Sequence, residues 1–101
     1  MLNQQRFSNK VVIVTGAAQG IGRGVAVQAA AEGAQVVLVD RSEYVSEVLA
    51  EIKDASGDAI VINTDLEVLA GAQTVVEQTM QTYGRIDTLI NNVGGARSEE
   101  H

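Results

Sequence analysis

The feature that most constrains this chain is a strict alternation of short apolar runs with segments of helical periodicity. Each apolar run is four or five residues long and rich in β-branched side chains. Such runs are typical of strands buried on both faces of a parallel sheet. The predicted strands are Val11–Val14, Val36–Val39, Ala59–Asn63 and Ile86–Ile90.

Between these strands, apolar and small residues recur at the spacing of a helix face. The apolar faces of the three predicted helices lie within Gly20–Gly33, Val45–Ile52 and Ala72–Tyr83. Ser42 is placed to cap the start of the second helix, and its predicted stop is Gly57. Gly33 and Gly84 are placed to end the first and third helices.

This order of elements predicts an α/β fold, a Rossmann-like doubly wound parallel sheet of about four strands and three helices in the order 3-2-1-4. A complete fold of this kind normally needs a longer chain than 101 residues, so we expect only its N-terminal half. In that half, two helices cover one face and a single helix covers the other. We therefore expect half of the second face to be bare and the fourth strand to leave an open edge, with self-association or marginal stability as the result.

Composition excludes several classes of function. The net charge of −6 and the scattered Lys and Arg argue against a nucleic-acid partner. The chain contains no cysteine and one histidine, which leaves no disulfide framework, no thiolate nucleophile and little for a metal site. No apolar stretch has the length of a membrane span or signal peptide, so we expect a soluble, cytoplasmic protein.

A glycine-rich turn, Thr15-Gly16-Ala17-Ala18-Gln19-Gly20-Ile21-Gly22, joins the first strand to the first helix. Gly16 allows a tight turn, Gly20 allows the backbone to approach a pyrophosphate, and Gly22 allows the helix to pack closely. The N–H groups at the helix start would then face the anion. The same glycines could instead serve only the turn, but their place between a strand and a helix favours phosphate binding.

Asp40 ends the second predicted strand, 40 − 22 = 18 residues after the last glycine of the turn. That spacing is near the one expected for an acid that binds the adenosine ribose. Its charge would repel the 2′-phosphate of NADP, so the expected cofactor is NAD, with NADP disfavoured. Arg41 or Arg23 could instead turn towards a 2′-phosphate, although both also fit as solvated surface charges.

Three motifs together resemble the short-chain dehydrogenase/reductases: TGAAQGIG from Thr15 to Gly22, Asp65-Leu66, and NNVGG from Asn91 to Gly95. The resemblance implies a dinucleotide-binding domain over residues 1–95, followed by a polar tail at 96–101. Together with the turn glycines, Asp40 and Arg41 described above, the residues that it implies complete the predicted cofactor-binding set: Thr15, Gly16, Gln19, Gly20, Ile21, Gly22, Asp40, Arg41, Asp65, Leu66, Asn92, Val93 and Gly94.

The same resemblance implies a role for several of these residues. Thr15 should join the glycine turn to the segment Asn91–Gly95, and Asn91 should brace the sheet. Asp65 should face the adenine amino group and Leu66 should contribute a backbone contact, while residues 92–94 should line the adenosine ribose side of the groove. Asp65 could also simply cap the third helix, and the asparagines could be turn residues.

Within the family, the segments RFSNKVVIVTGAAQGIGRGVA, DRSEYVSEVLAEI and NNVGG resemble a branch that oxidises a cyclic dihydrodiol carboxylate with NAD in aromatic-compound degradation. The family's chemistry uses a tyrosine, a lysine four residues later and a serine. Val48 and Asp87 stand four residues after Tyr44 and Tyr83, so no catalytic residue is assigned. Both tyrosines are interpreted as partly buried packing residues on helices, and this chain alone is expected to be inactive.

Two other functions remain open from the residues. The first is a non-catalytic dinucleotide-binding module. The second is a nucleoside-cofactor enzyme of another class, such as a methyltransferase, which also combines a glycine turn with an acid after the second strand. The G-x-x-x-G-I-G spacing and NNVGG argue against a methyltransferase.

Overall fold

The computed structural model describes residues 6–64 and 69–92. Strands and helices alternate through these residues, as the sequence predicts. The elements are β1 (Val11–Thr15), α1 (Gly20–Ala31), β2 (Gln35–Val39), α2 (Val45–Asp54), β3 (Asp58–Ile62), α3 (Leu69–Tyr83) and β4 (Thr88–Ile90). The predicted tail at 96–101 lies outside the described residues.

The four strands form one parallel sheet in the order β3-β2-β1-β4, which confirms the predicted topology. β1 lies at the centre and pairs along its whole length with β2, from Val11 opposite Gln35 to Thr15 opposite Val39. Because all four strands run in the same direction, their carboxyl ends lie side by side along one border of the sheet. We call this border the carboxyl edge, to distinguish it from the β4 edge, which is formed by the outer strand β4. The glycine turn and Asp40 both follow strands at this edge.

β4 is shorter than predicted, since it begins at Thr88 and not at Ile86. Asp87 is attached to β1 in another way: its side-chain Oδ2 accepts a hydrogen bond from the Val11 N–H at 2.8 Å. Its own N–H donates to the Val11 carbonyl at 2.9 Å. Asp87 therefore uses its carboxylate to anchor the entry of β4 to the start of β1.

Two apolar clusters fill the space between the sheet and the helices. On one face, Val14, Leu38 and Ala59 pack against α1 and α2. On the other face, Ile13 and Val39 pack against α3. The helices thus divide between the faces as predicted.

The expectation that half of the α3 face is bare is wrong in its extent. Val11 and Ile13 of β1, which lie on this face, are buried. β3 and β4 are the two outer strands of the sheet. The connection between them contains α3, so α3 passes over the central strands. Exposure is concentrated at the β4 edge, where Leu89 is 59% exposed.

The ends of α2 differ in detail from the prediction. The Ser42 hydroxyl accepts a hydrogen bond from the Tyr44 N–H at 3.1 Å, so it caps a turn that precedes the helix. After the helix, Ser56 and not Gly57 has a positive φ, 68°. Gly57 is needed for a different reason, because a Cβ there would lie 2.7 Å from Ile52 Cγ2.

Thr79 of α3 is fully buried, and its Oγ1 has no hydrogen-bond partner among the residues described. An unsatisfied buried hydroxyl is destabilising, and valine has the same branched shape without it. We expect Thr79→Val to raise the free energy of unfolding by about 1 kcal/mol, measured by urea denaturation. Thr74→Val is the matched control, because the Thr74 hydroxyl donates to the Ala70 carbonyl at 2.9 Å. An equal gain in both variants would contradict the interpretation.

The anchor at Asp87 should make stability depend on pH. The hydrogen bond from Arg85, followed by that from the Val11 N–H, lowers the pKa of Asp87 below its ordinary value. A lowered folded-state pKa contributes stability that is present above the unfolded-state value of about 4 and is lost as pH falls through the folded-state value. We expect Asp87→Asn to be less stable than wild type at neutral pH and to converge with it in acid. A difference between the two that does not change with pH would refute the role of the charge.

Candidate functional site

The glycine turn between β1 and α1 depends on two residues in the left-handed region. Gly16 and Gly20 both have φ of 62°. Other L-residues adopt this conformation only with strain, so glycine is favoured at both positions. The turn therefore has the backbone that its sequence predicts.

Gly22 is required by a close contact. A Cβ on this residue would lie 2.1 Å from the Gly16 carbonyl oxygen and 2.9 Å from Asn92 Nδ2. The sequence predicts that this glycine lets α1 pack against the sheet, and its nearest neighbours are the turn itself and the segment that follows β4. Asn92 is thereby brought against both Gly16 and Gly22.

The start of α1 is open towards the carboxyl edge of the sheet. The first N–H groups of a helix have no hydrogen-bond partner within the helix. In α1, the bond that reaches back to the Gln19 carbonyl comes from the Arg23 N–H, at 3.4 Å. Gln19 makes no side-chain capping hydrogen bond within the described part of the chain. A Cβ at Gly20 would face open space, and Ile21 is 76% exposed. An anion could approach these N–H groups.

Asp40 follows β2 and is held beside the glycine turn. Its Oδ2 accepts a hydrogen bond from the Ala18 N–H at 3.0 Å, and its Oδ1 accepts one from the Ser42 N–H at 2.9 Å. The side chain is half-buried. Each carboxylate oxygen retains lone-pair capacity for a further donor, so the group is fixed in place and can still accept hydrogen bonds.

Thr15 joins the turn to the segment after β4. Its hydroxyl donates to Asn91 Oδ1 at 2.9 Å and accepts from the Asn92 N–H at 2.8 Å. The expected contact between Thr15 and this segment is therefore present. The bond from the Thr15 hydroxyl to Asn91 Oδ1 also braces the end of β4, which Asn91 directly follows.

Asn63 was not singled out by the sequence analysis, yet it supports the site. Its Nδ2 donates to the Asp40 carbonyl at 2.7 Å and to the Ser42 carbonyl at 3.3 Å. It fixes the loop after β2 to the end of β3. A polar side chain directly after an apolar strand was the available signal.

The two arginines considered for a 2′-phosphate are both at the surface. Arg23 donates from Nε and Nη2 to Glu51 Oε1 at 3.2 and 3.1 Å, so it is engaged with α2. Arg41 is exposed beside Asp40. Four of the predicted site residues, Asp65, Leu66, Val93 and Gly94, lie outside the described residues.

The two tyrosines are in different environments. Tyr83 packs against the α3-face cluster, as predicted, and burial together with the nearby Asp58 charge raises its pKa to about 12. That value disfavours proton transfer at neutral pH. The prediction for Tyr44 is wrong, because it precedes α2 in a turn and is 65% exposed.

Other kinds of site receive no support within residues 6–64 and 69–92. These residues contain no group of three or more potential metal ligands. None of their helices is long and apolar enough to cross a membrane. A groove of about 640 Å³ lies between α1 and β4 on the α1 face, but its apolar lining of Val12, Val25, Ala29 and Ile90 includes no residue of the glycine turn.

The parallel sheet in the order 3-2-1-4, with a glycine turn at its first crossover, defines a Rossmann-type fold. Residues 10–101 match the family model described as short chain dehydrogenase. The chain belongs to the short-chain dehydrogenase family. The resemblance seen in the sequence motifs is thus confirmed.

Two curated relatives are both named 1,6-dihydroxycyclohexa-2,4-diene-1-carboxylate dehydrogenase. The one from Acinetobacter baylyi is 60% identical over 96 residues, and the one from Pseudomonas putida is 46% identical over 100 residues. The alignments cover 95% and 96% of this chain and 37% of each relative. The chain therefore spans little more than a third of their length. The similarity to the dihydrodiol branch of the family agrees with the sequence analysis.

Among solved structures, a metagenomic short-chain oxidoreductase in complex with NADP matches with a TM-score of 0.78 and 34% identity. The match covers 82% of this chain and 38% of that one. Both fold and sequence thus agree with the family.

The contact at Gly22 yields a test with an internal control. We expect Gly22→Ala to lower the free energy of unfolding by about 2 kcal/mol or more, because the added methyl group would overlap the Gly16 carbonyl. Gly24 lies on the same helix, and nothing is within 4 Å of a Cβ placed there. Gly24→Ala should therefore raise stability by about 0.5–1 kcal/mol. Similar effects at the two positions, measured by thermal or urea unfolding, would contradict the model of the turn.

Proposed function

We propose that this chain binds NAD at the carboxyl edge of the sheet. The observation that carries the proposal is the Asp40 carboxylate, held against the glycine turn by the Ala18 N–H and against the following loop by the Ser42 N–H. A carboxylate in this position can accept hydrogen bonds from both ribose hydroxyls. The N–H groups at the start of α1, which have no side-chain cap from Gln19, suit the pyrophosphate.

The residues that would hold the cofactor fall into three groups. The turn from Thr15 to Gly22, with Gln19, Gly20 and Ile21 at the helix start, would contact the pyrophosphate. Asp40 would bind the adenosine ribose, with Arg41 beside it. Asp65, Leu66, Asn92, Val93 and Gly94 would line the adenine and ribose side, as the family's motif implies.

The preference for NAD over NADP rests on charge. A 2′-phosphate at about 4 Å from Asp40 would meet a repulsion of roughly 1–4 kcal/mol between water-like and surface-like dielectric constants. That range corresponds to about fivefold or more in affinity. Arg23 does not offset this repulsion while it is engaged with Glu51.

The full activity that we propose is NAD-dependent oxidation of an alcohol or cis-dihydrodiol, with a cyclic dihydrodiol carboxylate as substrate, in aromatic-compound degradation. The names of the two curated relatives support this substrate class. When bound, NAD accepts the hydride. The chain supplies cofactor binding and contains no Tyr-x-x-x-Lys, so we propose that its 101 residues alone give no turnover. A cytoplasmic location remains a prediction.

We also propose self-association through the β4 edge. Among the described strands, β4 pairs only with β1. Leu89 is exposed there, and Val76 and Met80 add exposed apolar surface on α3. An unpaired strand edge beside apolar side chains favours contact with another chain.

The cofactor proposal is tested by calorimetric titration of the folded chain with NAD and NADP. We expect saturable binding of NAD and about tenfold weaker binding of NADP. Asp40→Asn should weaken NAD binding and reduce the difference between the two dinucleotides, because it removes the charge while preserving the side-chain size.

Asp54→Asn on the surface of α2 is the matched control and should bind NAD like wild type. Circular dichroism should show both variants folded. A folded wild-type chain that binds neither dinucleotide would refute the proposal. Both hypotheses expect no turnover from this chain, so the strength of NAD binding separates them: tight binding by a stable, well-folded chain would favour the non-catalytic binding module.

A further inference from the structure

The guanidinium of Arg23 is held by two acidic side chains of α2. Its Nε and Nη2 both donate to Glu51 Oε1, at 3.2 and 3.1 Å, and its Nη1 lies 3.9 Å from Glu47 Oε1. The edge formed by Nε and one Nη is the edge with which arginine binds carboxylates and phosphates. In this structure that edge is already occupied.

This cluster joins α1, whose start belongs to the proposed nucleotide site, to α2. Arg23 directly follows Gly22, the last glycine of the turn, and Glu47 lies in the first turn of α2. α1 and α2 pack on the same face of the sheet, and both begin at its carboxyl edge. In the chain, α1 precedes Asp40 and α2 follows it. Arg23 is therefore a cation in the first turn of the helix whose start would bind the pyrophosphate.

We propose that Glu51, assisted by Glu47, is a positioning residue for cofactor choice. It retains Arg23 on α2 and so withholds a counter-ion from the 2′-phosphate of NADP. This inference rests on the proposed dinucleotide binding at Asp40. Discrimination then has two physical parts, repulsion by Asp40 and retention of Arg23 by Glu51.

The size of the effect follows from the exposure of the pair. Arg23 is 38% exposed and Glu51 is 46% exposed, so water and salt weaken the attraction between them. A phosphate group can compete for the guanidinium once one or both acids lose their charge. The expected change in the ratio of dissociation constants, NADP over NAD, is a fall of about three- to tenfold.

The experiment is calorimetric titration of the full chain with NAD and with NADP at one fixed ionic strength. The variants are Glu51→Gln and Glu47→Gln/Glu51→Gln. We expect the ratio to fall in the single variant and further in the double variant, through tighter binding of NADP with NAD binding unchanged. Adding Arg23→Gln to the double variant should restore the wild-type ratio.

Two controls separate retention of Arg23 from a general effect of charge. Arg23→Gln alone should leave the wild-type ratio unchanged, because the guanidinium is already withheld. Glu77→Gln, on α3 at the other face of the sheet, changes the net charge equally and should have no effect.

The inference is overturned if the double variant keeps the wild-type ratio of dissociation constants. It is also overturned if the ratio still falls when Arg23→Gln is added to the double variant, or if Glu77→Gln lowers the ratio to the same extent. In each of these results NAD still binds, and the proposed function stands. Failure of the wild-type chain to bind either dinucleotide would overturn both proposals.

Discussion

Asp40 connects, through its carboxylate and its backbone carbonyl, three parts of the backbone that would otherwise be separate loops. It accepts hydrogen bonds from Ala18 in the glycine turn and from Ser42 in the loop before α2, while Asn63 at the end of β3 donates to the Asp40 carbonyl. Carboxylate–N–H bonds of this kind are charge-assisted and stronger than those between neutral groups. The loops after β1, β2 and β3 are therefore held together by one acidic residue, which is also the residue best placed to recognise a ribose.

The other side of the turn is fixed by packing and by a hydroxyl group. Gly22 brings α1 against the Gly16 carbonyl and Asn92, with no room for a methyl group. Thr15 joins both asparagines after β4. These contacts leave the N–H groups of α1 facing the open edge of the sheet, so that binding requires little rearrangement of the loops that surround them.

The sequence predicts the features that depend on local pattern and misses those that depend on contacts across the sheet. The glycine turn and the placement of Asp40 after β2 follow from periodicity and spacing, and the strand order follows from the fold type that the alternation of elements indicates. The apolar run places Asp87 in a strand, but its carboxylate accepts a hydrogen bond from the Val11 N–H, a contact visible only once β4 lies beside β1. The engagement of Arg23 by Glu51, and the support that Asn63 gives to Asp40, are equally non-local. Helical periodicity does not show which strands α3 crosses, so the sequence overestimates how much of the α3 face of the sheet is exposed.

The hydrogen bonds of Thr15 have a consequence for the order of events during synthesis. They join residues that are 76 and 77 positions apart, nearly the full length of the described chain. The early strands and helices can form local contacts as they leave the ribosome, but the groove beside the turn lacks one wall until residue 92 has emerged and β4 has docked. A nascent chain stopped before that point would carry every glycine of the turn without a closed groove. Affinity for the proposed dinucleotide should therefore appear abruptly, once residue 92 has emerged and β4 has docked.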